Sequence, residues 1–329
     1  MAEHTDVELT LHDPVLSEFE LPRRALYYPS GFALELETNS EDVIRAAEQS
    51  WGLFTAEFEK TPVRISLGVS ENSESPLPPP PAFRSRGHLM SIVSDAENFV
   101  ICDFIRGFAF GWVTPAVAAN HGFLRYHFLE AAETTLLDQL YFAPIHAALV
   151  ARNGKGVLLC GESFAGKSTL AYACARAGWT YISDDGTSLL RDRNDSYAIG
   201  NPHVIHLRED AKILFPELAD RIVIGRPNGK LGFEIFTREL PISLATGSAI
   251  YHAVFLNRRE SGTARLRHYP KSEFLTWCER CILYGEEHVR DAKRRTYQRL
   301  AGVGTWEMNY HDLDGAVKCL ETLVASGGA

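Results

Sequence analysis

Gly161, Glu162, Ser163, Phe164, Ala165, Gly166, Lys167, Ser168 and Thr169 form an unbroken run in which two glycines bracket four residues and precede a lysine and a serine. That spacing satisfies GxxxxGK[ST], and its chemistry is phosphate binding. A loop that wraps a phosphate needs dihedrals and close approaches that side chains would block, and glycine supplies both. Lys167 is placed to bridge the β- and γ-phosphates of a nucleotide and the Ser168 hydroxyl to hold Mg²⁺, so ATP and Mg²⁺ are the expected ligands. Asp184 and Asp185 follow one strand later. One carboxylate of such a pair can bind the metal while the other accepts the proton of an attacking hydroxyl. The competing reading is a plain turn, since Asp184-Asp185-Gly186 is good turn chemistry.

The elements needed to position these groups are legible around them. Ile145 to Val150 and Val157 to Cys160 are apolar, strand-like runs joined by a turn containing Asn153-Gly154. The second run feeds directly into the glycine loop. Behind the loop, Leu170, Ala171, Ala173, Cys174 and Ala177 recur at helical spacing up to Gly178, which turns a helix N-terminus toward the phosphates. The next strand, TYISDD, ends on the aspartates, at the edge where open α/β sheets place ligands.

The first 125 residues differ in character. Phe32 to Glu37, Val63 to Ser70, His88 to Ser94 and Phe99 to Phe104 read as short strands around a helix for which Ser40 is the expected N-cap. The segment from Ser70 to Phe83 is too proline-rich for a helix or central strand and reads as an extended loop. Phe123 to Phe142 reads as a connecting helix. Downstream, His206 and Arg208, then Arg226 and Lys230, give local positive charge suited to a transferring phosphate. Ala249 to Arg258 reads as a further core strand with Arg258 and Arg259 at its end. Arg290, Lys293, Arg294, Arg295 and Arg299 form a basic helical face, read as solvated surface or as a dock for an acidic peptide.

The bulk numbers exclude several classes. With 42 acidic against 33 basic residues and a formal charge of −9, the chain is no generic nucleic-acid binder. Its first twenty residues hold Glu3, Asp6, Glu8, Asp13, Glu18 and Glu20 without Lys or Arg, the opposite of a secretory signal, and no apolar stretch is long enough for a bilayer. No membrane association and a cytoplasmic location are expected. Cys102, Cys160, Cys174, Cys278, Cys281 and Cys319 are scattered, so a disulfide framework is not expected, and the Cys278/Cys281 pair lacks the partners of a zinc site.

Taken together, the IHAALV run at Ile145, the GKGVLLCGESFAGKS loop, the RAGW helix end and the ISDD strand end resemble the core of the HPr kinase/phosphorylase family and its relatives. The resemblance implies an α/β P-loop kinase core of the HPr kinase/phosphoenolpyruvate carboxykinase type over residues 126–329, which the α+β domain read over 1–125 precedes. The resemblance does not extend to residues 1–125, whose α+β character and expected part in substrate selection rest on the strand and helix pattern alone. It implies phosphorylation of a serine hydroxyl on a peptide or small protein. By position, Asp184 matches the aspartate that activates the hydroxyl, Asp185 its neighbour at the metal together with Ser168, and His146 a histidine against the catalytic aspartate. Relatives carry a turn like that at Lys230, and self-association is implied as well. Thr169 stands where the family has a glutamate, and its Arg-Gly-rich signature has no counterpart here. Two alternatives stay open: a kinase of a small-molecule alcohol, and a nucleotide-sensing protein that transfers nothing.

Overall fold

The computed structural model describes residues 20–70, 75–225, 229 and 231–326, and the chain is α/β with several mixed sheets. Strands β1 (Arg23–Tyr27), β2 (Phe32–Thr38), β3 (Phe58–Val69), β4 (Ala82–Arg86), β5 (Leu89–Val93), β6 (Phe99–Asp103) and β7 (Phe108–Val113) form one sheet in the order β1-β2-β3-β7-β6-β5-β4. Alternation sets its faces: Leu34 and Leu36 are buried while Glu35 between them is exposed. Helix α1 (Glu41–Trp51) makes the crossover between the parallel pair β2 and β3. Ser40 occupies its N-cap position, but the hydroxyl makes no capping hydrogen bond; Glu41 and Asp42 in the first turn complement the helix dipole instead. Strands β2, β3, β5 and β6 coincide with the runs that the sequence marks as strand-like; β1, β4 and β7 are additional. Phe83, read as the end of the proline-rich loop, lies in β4, and residues 71–74 of that loop lie outside the described residues.

After α2 (Pro115–Ala119), one helical run crosses the first sheet as α3 (His121–Leu124), a π turn (Arg125–Leu129) and α4 (Glu130–Leu140). Leu124, Phe128, Ala132, Leu136 and Leu137 share a core with Leu34, Ile65 and Leu67, which extends to Phe142. Residues 125 and 126, where the sequence reading divides the chain, thus sit inside a helix that belongs to the first layer.

The second sheet starts with β8 (Phe142–Ile145), β9 (Ala148–Arg152) and β10 (Lys155–Cys160). The β9–β10 hairpin turns at Asn153 and Gly154 with φ of 52° and 75°, the doubly left-handed geometry that an Asn-Gly pair favours. Then come α5 (Lys167–Arg176), β11 (Thr180–Ser183), β12 (Thr187–Leu190) and β13 (Tyr197–Gly200). A smaller three-stranded sheet carries β14 (Val204–Leu207), followed by α6 (Ala211–Leu214), β15 (Ile224–Gly225) and β16 (Leu231–Phe236). The large sheet resumes with β17 (Ser243–Leu244), β18 (Gly247–Arg258), β19 (Arg265–His268) and, after α7 (Lys271–Glu279) and α8 (Glu287–Gln298), β20 (Gly304–Tyr310); α9 (Leu313–Ala325) closes the described chain.

Strand β10 is the axis of this half, flanked by β9 antiparallel and β18 parallel. Its residues are buried on both faces. Val157 and Leu159 meet Leu170 and Cys174 of α5 and Leu320 of α9, whereas Leu158 and Cys160 meet Phe274, Trp277 and Cys278 of α7 and Tyr297 of α8. Cys278 is therefore a core packing residue, and all six cysteines are free thiols. Among the described residues no helix is long and apolar enough to cross a membrane.

The basic helix departs from its surface reading. Lys293 is 1% exposed and its Nζ donates to Asp138 Oδ2 of α4 at 2.7 Å. Arg290 and Arg294 pair with Glu287, and Arg299 donates to the backbone carbonyls of Leu190 and Arg191. Arg295 is left exposed on this face. The helix joins the two layers through these contacts.

Candidate functional site

The loop between β10 and α5 needs its glycines for two different reasons. Gly161 has φ of 145°, and a Cβ there would meet the Ala165 Cβ at 2.8 Å. Gly166 has φ of 92°, and a Cβ would come within 2.6 Å of the Tyr310 hydroxyl. That hydroxyl, from β20, donates to the Ala165 carbonyl at 3.1 Å and braces the loop from behind. The buried Lys167 Nζ donates to the loop carbonyls of Gly161 and Glu162 at 2.9 and 3.3 Å, curling the loop around its own ammonium. Gly166→Ala is expected to weaken nucleotide binding about 5- to 150-fold, the equivalent of ~1–3 kcal/mol of left-handed strain. Adding Tyr310→Phe removes the close hydroxyl but leaves the strain, so titration of the double variant should show at most partial recovery.

Phe164, a non-glycine residue at φ of 73°, holds its ring 79% exposed at the cleft mouth. Arg208 Cζ lies 3.5 Å from the centre of that ring. The guanidinium expected to meet phosphate is stacked on the loop itself, at the edge of the same cleft.

Asp184 and Asp185 stand just past β11 and face different partners. Asp184 is buried; its Oδ2 accepts the His206 backbone N–H at 2.8 Å and its Oδ1 lies 3.5 Å from His206 Nδ1. Its backbone carbonyl accepts from Ser168 Oγ at 3.3 Å, which ties the first turn of α5 to the strand end. Asp185 is half exposed and lies 3.3 Å from His146 Nδ1, and His146 Nε2 in turn lies 3.4 Å from Lys167 Nζ. A lysine ammonium has only donors, so these partners assign His146 Nε2 as acceptor and Nδ1–H as donor to Asp185.

The histidine expected against Asp184 is thus found elsewhere. His146 sits on Asp185, in the short link between β8 and β9, and His206 from β14 takes the place beside Asp184. His206 also lies 3.5 Å, through Nε2, from Glu234 of β16. The cleft gathers Lys167, Ser168, Thr169, Asp184, Asp185, His146, His206 and Arg208, together with Arg258 from the end of β18. Arg259 turns away, its Nε donating to Asn309 at 2.9 Å. Lys230 and Arg226 lie outside the described residues.

Oxygen donors at the cleft suit a hard divalent cation. Among the described residues no group of three or more His, Cys, Asp or Glu side chains forms a metal cage. A Ser168 hydroxyl and an Asp185 carboxylate are the sparse set typical of Mg²⁺, which takes its other ligands from phosphate and water.

A second cavity shares the His206 wall and opens between the two layers. Its floor is the π turn and α4, which bring Arg125, Tyr126, Glu130, Glu133 and Thr134 to it. Sequence reading missed these residues, because Glu130 and Glu133 look like ordinary helix surface. Burial raises the Glu133 carboxyl from 4.5 to about 8, against a lowering hydrogen bond from Thr134 and with a small push from Glu130. Between those two values the folded chain holds a proton that the unfolded chain has lost, so this group makes stability fall as pH rises, by up to about 1.4 kcal/mol per pH unit. Glu133→Gln is expected to remove that slope. Denaturant midpoints near pH 5 and pH 7.5 check it, the variant gaining on wild type at the higher pH.

Comparison with known proteins adds little to this geometry. Residues 135–204 match a family model described as SynChlorMet cassette protein ScmC. None of the curated proteins matches the chain. Among solved structures, the Hpr(Ser) kinase/phosphatase from Coxiella burnetii is similar at 15% identity and a TM-score of 0.29, over 56% of this chain and 94% of that one.

Proposed function

We propose that this chain is an ATP-dependent kinase that transfers the γ-phosphoryl group to an acceptor hydroxyl, with Asp184 taking the hydroxyl proton. The observation that carries the reading is the convergence in one cleft of Lys167 and Ser168 at the start of α5 with a buried carboxylate, Asp184, braced on His206. Nucleotide phosphates fit the glycine cradle and the N-terminus of α5. Ser168 and Asp185 would hold Mg²⁺, which would supply charge neutralisation to the phosphates.

The chain's own groups have distinct tasks. Lys167 exchanges the loop carbonyls for phosphate oxygens, and His146 keeps its ammonium and Asp185 in register. The acceptor oxygen forms its bond to the γ-phosphorus as the bond to the β,γ-bridging oxygen breaks; ADP leaves with that electron pair and the hydroxyl proton passes to Asp184. His206 fixes the Asp184 carboxylate, so positioning and charge stabilisation supply most of the acceleration. A peptide serine and a small alcohol are equivalent to Asp184, and the adjoining cavity favours the smaller acceptor.

The test is product analysis with ATP, Mg²⁺ and fractionated cell extract. ADP appearing in step with an acid-stable phosphomonoester supports the reading. Release of AMP, or no nucleotide turnover with any fraction, would sink it.

A further inference from the structure

We infer that the interlayer cavity is the acceptor pocket, and that its acceptor is a small hydroxyl-bearing primary amine with an apolar body, its ammonium held by Glu133. This deepens, and rests on, the kinase reading. The cavity has a volume of ≈ 420 Å³, within the range of about 300–1,000 Å³ that encloses small ligands. Trp51, Phe54, Tyr126 and Phe142 supply apolar walls, and Glu133 and Glu234 supply carboxylates.

Glu133 is the informative group. It is 7% exposed, it receives one hydrogen bond from its neighbour Thr134 Oγ at 3.1 Å, and among the described residues no Lys, Arg or His forms an ion pair with it. Glu130 differs, since its Oε1 accepts from Ser50 Oγ at 2.7 Å and pairs with Arg125 at 3.2 Å. A buried carboxyl without a cation is costly, and an incoming ammonium would offset that cost. Burial raises the pKa of this carboxyl, and an ammonium placed against it would draw it into the ionised form.

The cavity meets the reaction centre at two places. His206 walls both chambers, with Nδ1 toward Asp184 and Nε2 toward the cavity residue Glu234. Gly186, directly after Asp185, lines the cavity, and a Cβ there would meet nothing within 4 Å. Bare backbone at this point leaves room for a hydroxyl to pass toward Asp184.

The experiment compares leucinol and phenylalaninol with their N-acetyl derivatives, by calorimetric binding without nucleotide and by phosphorylation with MgATP. At least one amine should bind about tenfold or more tightly than its acetylated form, a margin set by the charge-assisted contact. Glu133→Gln should erase that margin by weakening the amine while leaving the acetylated compound unchanged. Gly186→Leu, whose side chain enters open space, should lose phosphorylation of the amine while binding MgATP as before. Equal binding of amine and acetylated forms, no binding of either amine, or an equal loss of both in Glu133→Gln overturns the inference. MgATP affinity in the same samples reports separately on the kinase reading: its absence in wild type defeats that reading even where amine binding holds.

Discussion

Asp184→Asn is expected to lower the single-turnover rate of phosphoryl transfer by ~10²–10⁴-fold while ATP affinity stays close to that of wild type, because general-base assistance contributes on that order. The substitution is nearly isosteric. An asparagine oxygen can still accept the His206 backbone N–H that Asp184 Oδ2 receives at 2.8 Å, and the Ser168 hydroxyl bonds the residue's backbone carbonyl, which is untouched. What disappears is the ability to take a proton. Lys167→Ala should give the opposite signature, a loss of nucleotide contact as well as turnover, on the order of 10²–10³ or more in rate. Full transfer by Asp184→Asn would reject the base assignment, and unimpaired nucleotide binding by Lys167→Ala would reject the cradle.

The second large effect concerns stability. Lys293→Met is expected to cost about 3–5 kcal/mol of unfolding free energy, because it strands Asp138 in the interior. Lys293 and Asp138 are 1% and 8% exposed in their side chains and 2.7 Å apart. Asp138 Oδ1 has no hydrogen-bond partner, and although Oδ2 also accepts from Gln139 Nε2 at 3.2 Å, Lys293 is the cation that the carboxylate pairs with among the described residues. Burial lowers the Lys293 pKa while Asp138 pushes it back up. Replacing both, Asp138→Leu with Lys293→Met, should be much milder than Lys293→Met alone, since an apolar pair removes both desolvation costs. Urea unfolding of the two variants beside wild type decides; equal losses in single and double variants would mean that the pair is not coupled. Because α4 also carries Glu133 and α8 packs beneath β8, loss of this pair should loosen the interlayer cavity as well.

The parts of the site legible in the sequence are those written in local chemistry. The Asn153-Gly154 turn, the apolar run of β10, the glycine loop and the helix stop at Gly178, whose φ is 85°, each follow from a few adjacent residues. What stayed hidden depends on distant partners. His206 reaches Asp184 across 22 residues of sequence, and Lys293 reaches Asp138 across 155, so nothing near either histidine or lysine announces the pairing. His146 lies against Asp185 rather than Asp184 for a related reason: neighbouring carboxylates at a strand end point to different sides, and sequence alone does not say which side a histidine in the preceding link will meet. Strand β7 depends on a neighbour in the same way: a Cβ at Gly111 would lie 2.0 Å from the Phe99 carbonyl of the adjacent strand, so glycine is what lets the strands pair. The acidic wall of the cavity was illegible because Glu130 and Glu133 have the composition of a solvated helix turn, and only the layer packed over α4 makes them interior.

The most direct test of the central claim follows the γ-phosphorus. Wild-type protein, Mg²⁺ and ATP labelled at the γ-position, incubated with cell extract, should yield label in an acid-stable phosphoester, and Asp184→Asn should bind the nucleotide yet leave that product unlabelled. Saturable ATP binding with neither transfer nor hydrolysis by wild type would contradict the account and identify the chain as a nucleotide sensor.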